Sequence, residues 1–292
     1  MKILKQMNKL VLLITAAFLL QSCSMSTFVI RQTGVILDYG VLALYEESDL
    51  KLAEQALASD IKLLEGMLKG DPENENMLLL TSQALSGYAL GFAEDEEPER
   101  AKSLYLRGKE YGLRILRMDD TFAANENGTL DEFTSAVEAM DDDYIDALFW
   151  TGFAWAGWIN LSLDNPRALL DLAKAQVFMQ RVLDLDESYF HGSAHLFFGS
   201  IWGTKPKMLG GDPEKAKSHF EKNLEITQGK FLLTYVYYAR YYAAKTLDED
   251  LFDQFVVKIE ETPADVLPEY QLLNVIAKDK VKYLKQMKED LF

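Results

Sequence analysis

Cysteine is almost missing from this chain. Cys23 is the single one in 292 residues, so no internal disulfide can form, and neither a CxxC redox pair nor a thiolate zinc site is available. Histidine is nearly as scarce, with His191, His195 and His219 only. Positive charge is in deficit: 30 Lys and Arg stand against 46 Asp and Glu, for a net charge of −16. A field of that sign repels phosphate backbones, which argues against nucleic acid as a partner. Long strand-like alternation is absent. The apolar run Leu10–Leu20 falls short of the roughly 20 residues that a membrane-spanning helix needs. There is no G-x-S-x-G elbow, no H-E-x-x-H and no phosphate-cradling glycine loop. What remains is an ordinary globular composition, long enough for one large domain or an array of small units.

The start of the chain reads as an address. Lys2, Lys5 and Lys9 precede the apolar run, and Leu20-Gln21-Ser22-Cys23 follows it. A basic start, a short apolar core and small residues at the end make a secretory signal peptide over residues 1–22. The last four residues resemble a bacterial lipobox, in which the Cys becomes the first mature residue and carries lipid. Cys23 is thus the expected lipidation site, and residues 23–40 the lipidated N-terminus and tether. Multiple acyl chains hold a protein stably on a membrane surface. Ser24 rather than Asp after the Cys favours the outer membrane. Loss of the three lysines lowers the charge to −19.

The remainder reads at helical period, which predicts an all-α fold. Leu50, Ala53, Leu57, Ile61, Leu64 and Leu68 recur at steps of three and four and stop at Gly70-Asp71-Pro72. Further helices are expected at about 73–92, 97–118, 144–162, 165–185, 189–203, 213–227, 230–246, 248–261 and 268–288, with a short one near 130–140. Leu68, Leu116 and Leu183 close three helices in the same way, and a fourth closing at Leu224 is degenerate. Glu97-Pro98-Glu99-Arg100-Ala101 and Asp212-Pro213-Glu214-Lys215-Ala216 open two alike. These repeats resemble degenerate tetratricopeptide (TPR) units longer than the usual period of about 34 residues. They predict one domain over 41–292, a TPR-like helical-hairpin α-solenoid of about four to five hairpins with a concave side. The acid runs Glu94–Glu97 and Asp141–Asp143 read as solvated helix ends, since calcium-loop spacing is missing.

Aromatic helices supply the candidate site. Trp150, Trp155 and Trp158 fall within nine residues and share an arc of about 140° on a helix, with Phe153 and Asn160 in the same segment. Gly152 and Ala156 on the other side would pack against a neighbouring helix. The tryptophans either fill a wide core or line a cavity for an apolar or amphipathic ligand. A second stripe comprises Phe231, Tyr235, Tyr238 and Tyr242, with Arg240 on an apolar face beside it. A buried Arg needs an anion, either an internal carboxylate or a ligand's. His195 and Phe198 lie on another stripe with His191 and Trp202, read as packing or pocket lining and not as a metal site. Lys205-Pro206-Lys207 is either a site rim or a solvated loop.

Four segments carry a family resemblance: 149–160 (FWTGFAWAGWIN), 194–199 (AHLFFG), 206–216 (PKMLGGDPEKA) and 236–242 (VYYARYY). They resemble the TatT component family, TPR-type lipoproteins associated with tripartite ATP-independent periplasmic (TRAP) transporters. The resemblance spans about residues 40–285. It implies an all-helical, non-enzymatic accessory subunit without cofactor. It also implies pairing with a periplasmic solute-binding protein, homo-oligomerisation (a trimer), and a cavity through each protomer. The ligand would be a small hydrophobic or amphipathic solute, including an organic acid. The competing readings are a TPR scaffold that organises an envelope complex without small-molecule binding, and an envelope hydrolase, for which the sequence offers neither nucleophile nor base.

Overall fold

A computed structural model describes residues 27, 29–204 and 210–292. Cys23, the signal segment and Lys205-Pro206-Lys207 lie outside the described residues. The described chain is all-helical. Its helices are α1 (Gly34–Tyr45), α2 (Leu50–Gly70), α3 (Glu75–Tyr88), α4 (Pro98–Leu116), α5 (Asp120–Asn125), α6 (Leu130–Glu138), α7 (Ile145–Asn160) and α8 (Pro166–Leu185). There follow α9 (Tyr189–Thr204), α10 (Pro213–Thr227), α11 (Leu233–Tyr238), α12 (Ala244–Thr246), α13 (Glu249–Glu261), α14 (Gln271–Asp279) and α15 (Val281–Leu291). Many of the starts are chemically marked. Asp49, Asn74, Asp119, Asp212 and Asp248 accept hydrogen bonds from backbone amides in the first turn, and Thr129 with Glu132 forms a capping box. Pro98, Pro166 and Pro213 occupy first helical positions, where their missing N–H costs nothing.

The helices pair in sequence order as α1–α2, α3–α4, α7–α8, α9–α10 and α11–α13, and each pair also packs on the next. This fits the predicted hairpin array. The short helices α5 and α6 sit between the second and third hairpins. There Phe122 and Phe133 pack on Phe178 of α8, with ring centroids 5.2–6.0 Å apart.

Three features depart from the expected helix list. The helices expected at 73–92 and 230–246 each contain a π-helical turn, Ala89–Ala93 and Ala239–Ala243. The helix expected at 268–288 breaks at Lys280 into α14 and α15. The span read as a tether to residue 40 includes the start of α1.

The array does not stay open. α14 returns to pack against α1 and α2 at the other end of the chain. Ala53 of α2 and Leu90 share one apolar cluster with Leu272, Leu273 and Ile276 of α14. The first helices of the hairpins, α1, α3, α7, α9 and α11, face inward, and α14 completes the ring around a central cavity.

Candidate functional site

The central cavity has a volume of about 560 Å³, within the usual range for small-molecule sites, roughly 300–1,000 Å³. Its wall is mostly aliphatic and aromatic. Leu57 and Leu64 of α2, Leu80 and Leu90 around α3, and Leu273 and Ile276 of α14 are typical. It reaches solvent at Ile36 of α1 and at Leu163 and Leu169 around the α7–α8 turn. These lining residues are 69%, 48% and 53% exposed.

Aromatic side chains shape the middle. Trp150 and Phe153 of α7 line the wall, with Trp150 edge-on to Phe190 at 4.9 Å. Phe190 reaches the cavity through an unusual turn. Phe190, His191 and Gly192 are all left-handed, with φ of 42°, 60° and 64°. Such a conformation costs about 1–3 kcal/mol per non-glycine residue and persists only where the surroundings hold it. Here Asn223 donates hydrogen bonds to the His191 and Gly192 carbonyls at 2.7 and 2.8 Å, and accepts one from the Thr234 hydroxyl. His191 stacks on Phe231 at 4.9 Å and meets Tyr270 edge-on.

One end of the cavity is polar. Glu94 follows the first π turn and faces the cavity. Its Oε1 accepts from Lys280 Nζ at 2.8 Å and its Oε2 from the Tyr105 hydroxyl at 2.7 Å. Asp95 accepts from Lys280 and, at 2.8 Å, from Arg240 Nη2 in the second π turn. The two π turns are thus bridged by buried charge; π turns are frequent where a helix must re-aim side chains at a functional site. Burial would push the Asp95 carboxyl up, but Lys280 and Arg240 hold it below the usual carboxylate range. Burial would likewise lower Lys280, and Glu94 and Asp95 outweigh it. The hydroxyls of Tyr105 and Tyr237 are held well above their ordinary range by burial and then by Glu94, so both stay protonated donors. Asn160 donates to the Tyr241 hydroxyl at 2.8 Å.

This arrangement overturns one reading of the sequence. Glu94 and Asp95 belong to a run expected to be solvated, yet their side chains are only 11% and 14% exposed. The run looked like a surface feature because the cations that answer it lie about 145 and 185 residues away in the chain.

The predicted site residues separate into two groups. Trp150, Phe153 and Asn160 line the cavity; the others do not. Trp155 is buried away from the cavity wall, where its Nε1 donates to Asp171 at 3.0 Å and Lys109 Nζ sits 4.4 Å above the ring. Trp158 is buried in the core away from the wall. His195 Nδ1 is 2.8 Å from His219 Nδ1, and Phe198 stacks on His219. Tyr235, Tyr238 and Tyr242 face α10 and α13, with Tyr238 held between Phe220 and Phe255 at 4.7 and 4.6 Å. Arg240 has found its internal carboxylate, Asp95, and does not line the cavity.

The small-residue face of α7 also differs from expectation. Gly152 does pack on Phe178 and Met179 of α8, but Ala156 and Gly157 lie at the cavity wall. A Cβ on Gly157 would come within 2.5 Å of the Tyr105 ring, so glycine here lets Tyr105 reach Glu94.

Several lining residues were not singled out from the sequence: Tyr237 and Tyr241 of the second aromatic helix, Asp60, Gln83, Glu94 and the α14 leucines. Tyr237 and Tyr241 were visible as a second aromatic stripe, with Leu233, on a helix that carries two. Among the described residues, no three His, Cys, Asp or Glu side chains converge as a metal site would require, and no helix is long and apolar enough to cross a membrane.

A family model described as the TRAP transporter T-component matches residues 46–292. An uncharacterized protein of Treponema pallidum (strain Nichols) is 25% identical over 268 residues, covering 85% of this chain and 81% of its own length.

Proposed function

Since the chain belongs to the TRAP transporter T-component family, we propose that it is the accessory subunit that holds a small hydrophobic or amphipathic solute in its central cavity and docks the transporter's periplasmic solute-binding protein. The observation that carries this reading is the apolar cavity of about 560 Å³, open to solvent and polar at one end. A scaffold would gain nothing from leaving that volume unfilled, because voids forgo packing contacts. The solute partitions among Trp150, Phe153, Phe190 and the aliphatic wall. The polar groups around Glu94 orient it, and it passes to the docked binding protein through a mouth such as that at Leu163 and Leu169. The chain performs no chemistry on the solute and needs no cofactor.

The remaining parts of the reading concern placement. Cys23 carries lipid and tethers the protein to a membrane facing the periplasm, the outer membrane in a diderm cell. The protomers associate, as a trimer. Cys23→Ser should abolish the lipid mass increment and shift the protein out of the membrane fraction; a variant still lipidated would refute the anchor.

The experiment that tests the main reading is native mass spectrometry of the chain with and without the neighbouring solute-binding protein. Retained small-molecule adducts together with a defined complex support solute relay and weigh the ligand. A clean apo protein that still binds its partner favours a scaffold instead.

A further inference from the structure

The charges on the cavity wall restrict the solute's head group. Among the described residues no Lys, Arg or His lines the cavity, whereas two carboxyl groups do, Asp60 of α2 and Glu94. Two cations behind the wall are paired with carboxylates. Lys280 lies against Glu94 and Asp95, and Arg240 against Asp95. Glu94 is therefore locally neutralised, while Asp60 makes no ion pair or side-chain hydrogen bond with the described residues.

A carboxylate, sulfate or phosphate head entering this space would leave water without meeting a counter-charge. An unpaired buried charge is costly, and like charge at a binding wall rejects the wrong ligand. An ammonium head fares little better. The one uncompensated wall charge, Asp60, is partly exposed, so it would give back only part of what the cation loses in leaving water.

The wall does offer neutral hydrogen-bonding groups. The Tyr237 hydroxyl has no hydrogen-bond partner among the described residues, and neither does the Gln83 side-chain amide, although both line the cavity. Each Glu94 oxygen accepts one side-chain hydrogen bond, from Lys280 or Tyr105, and a carboxylate oxygen has room for another. Donors and acceptors without net positive charge, set in an apolar wall, match an alcohol, ester or amide head on an aliphatic or aromatic body.

We infer that the cavity selects an uncharged amphiphile and discriminates against organic anions. This rests on the solute-holding reading above and narrows it to a ligand class.

The test uses the full-length chain, delipidated and kept in solution with an amphipathic polymer. Displacement of the uncharged fluorescent probe N-phenyl-1-naphthylamine is followed at about pH 8, where a fatty acid is ionised and an alkylamine protonated. Three ligands with the same tail are compared: dodecanol, dodecanoate and dodecylammonium. Dodecanol should displace the probe at a concentration at least about tenfold lower than dodecanoate. Asp60→Asn should narrow that gap by strengthening dodecanoate with little change for dodecanol. Dodecanoate equal to or better than dodecanol would overturn the inference and leave solute holding intact, as would dodecylammonium emerging as the tightest of the three. If neither the probe nor any of the three binds, both the solute-holding reading and this inference fall.

Discussion

Trp155 and Trp150 lie five residues apart on α7, and their environments assign them different work. Trp150 meets the cavity at Phe190. Trp155 spends its indole N–H on Asp171 and its ring face on Lys109. Trp155→Ala should therefore act on stability and not on the site. The expected loss is about 3–5 kcal/mol, as for other large buried truncations, with probe affinity per folded molecule unchanged. Urea unfolding and probe titration on the same sample measure both. A large drop in affinity with full stability would put Trp155 at the cavity after all. Periodicity placed the three tryptophans on one arc, and the arc exists. It could not say which edge of the arc faced inward, because an indole satisfies a core and a pocket equally well.

At the scale of elements, the interruptions in the helices do the positioning. The left-handed turn at Phe190–Gly192 swings one ring into the cavity, and Asn223 from α10 holds it through two carbonyls. Asn223→Ala should strand those two buried acceptors, at about 1–3 kcal/mol each, and loosen the turn. Hydrogen exchange ought to show faster opening at the start of α9 than in α7. Protection unchanged at α9 would mean that the stacking of His191 and Phe231 suffices to hold the turn. The two π turns were read as plain helix, since a single extra residue per turn leaves the apolar pattern almost intact. The aromatic helix 233–243 bears two stripes, and its sequence favours neither. Only the packing of Tyr238 between Phe220 and Phe255 leaves Tyr237 and Tyr241 for the cavity.

For the molecule as a whole, closure of the ring depends on charge as well as apolar contact. Lys280 is 3% exposed and answers both Glu94 and Asp95. Lys280→Met should leave two carboxylates under-compensated and cost about 3–5 kcal/mol, as breaking buried pairs does. Denaturant unfolding checks the size of the effect, and a variant of wild-type stability would show that the carboxylates protonate instead.

Acid should weaken the fold in two stages. Burial lowers all three histidines, and His219, further opposed by His195, falls to about 4. The unfolded chain then binds protons that the folded one refuses, so stability present above about 6.5 is lost as pH falls toward 4. Asp95 and Glu65 are held low in the folded state, Glu65 at about 2. Their contribution is present above the ordinary carboxylate range and lost as pH drops through their folded values. Melting temperature should fall steadily on acidification from neutral pH. His219→Phe, which keeps the stack on Phe198, should flatten the upper stage, and an unchanged slope would remove the histidine account.

The residue pattern alone determined what is local. Apolar residues at steps of three and four define helices, Asp, Asn and Pro at fixed offsets define where they start, and recurrent closings define hairpins. Each depends on neighbours within one or two turns. The family resemblance was legible for the same reason, carried by short strings such as 149–160. The tertiary structure decided what depends on distant partners. α14 closes the hairpin array into a ring, Glu94 and Asp95 turn from apparent surface acids into a buried cluster of charge, and the inward wall carries carboxyl groups but no described cation. The charge pairings alone reach across 145 to 186 residues, and helical periodicity contains no information about which distant side chain will stand opposite.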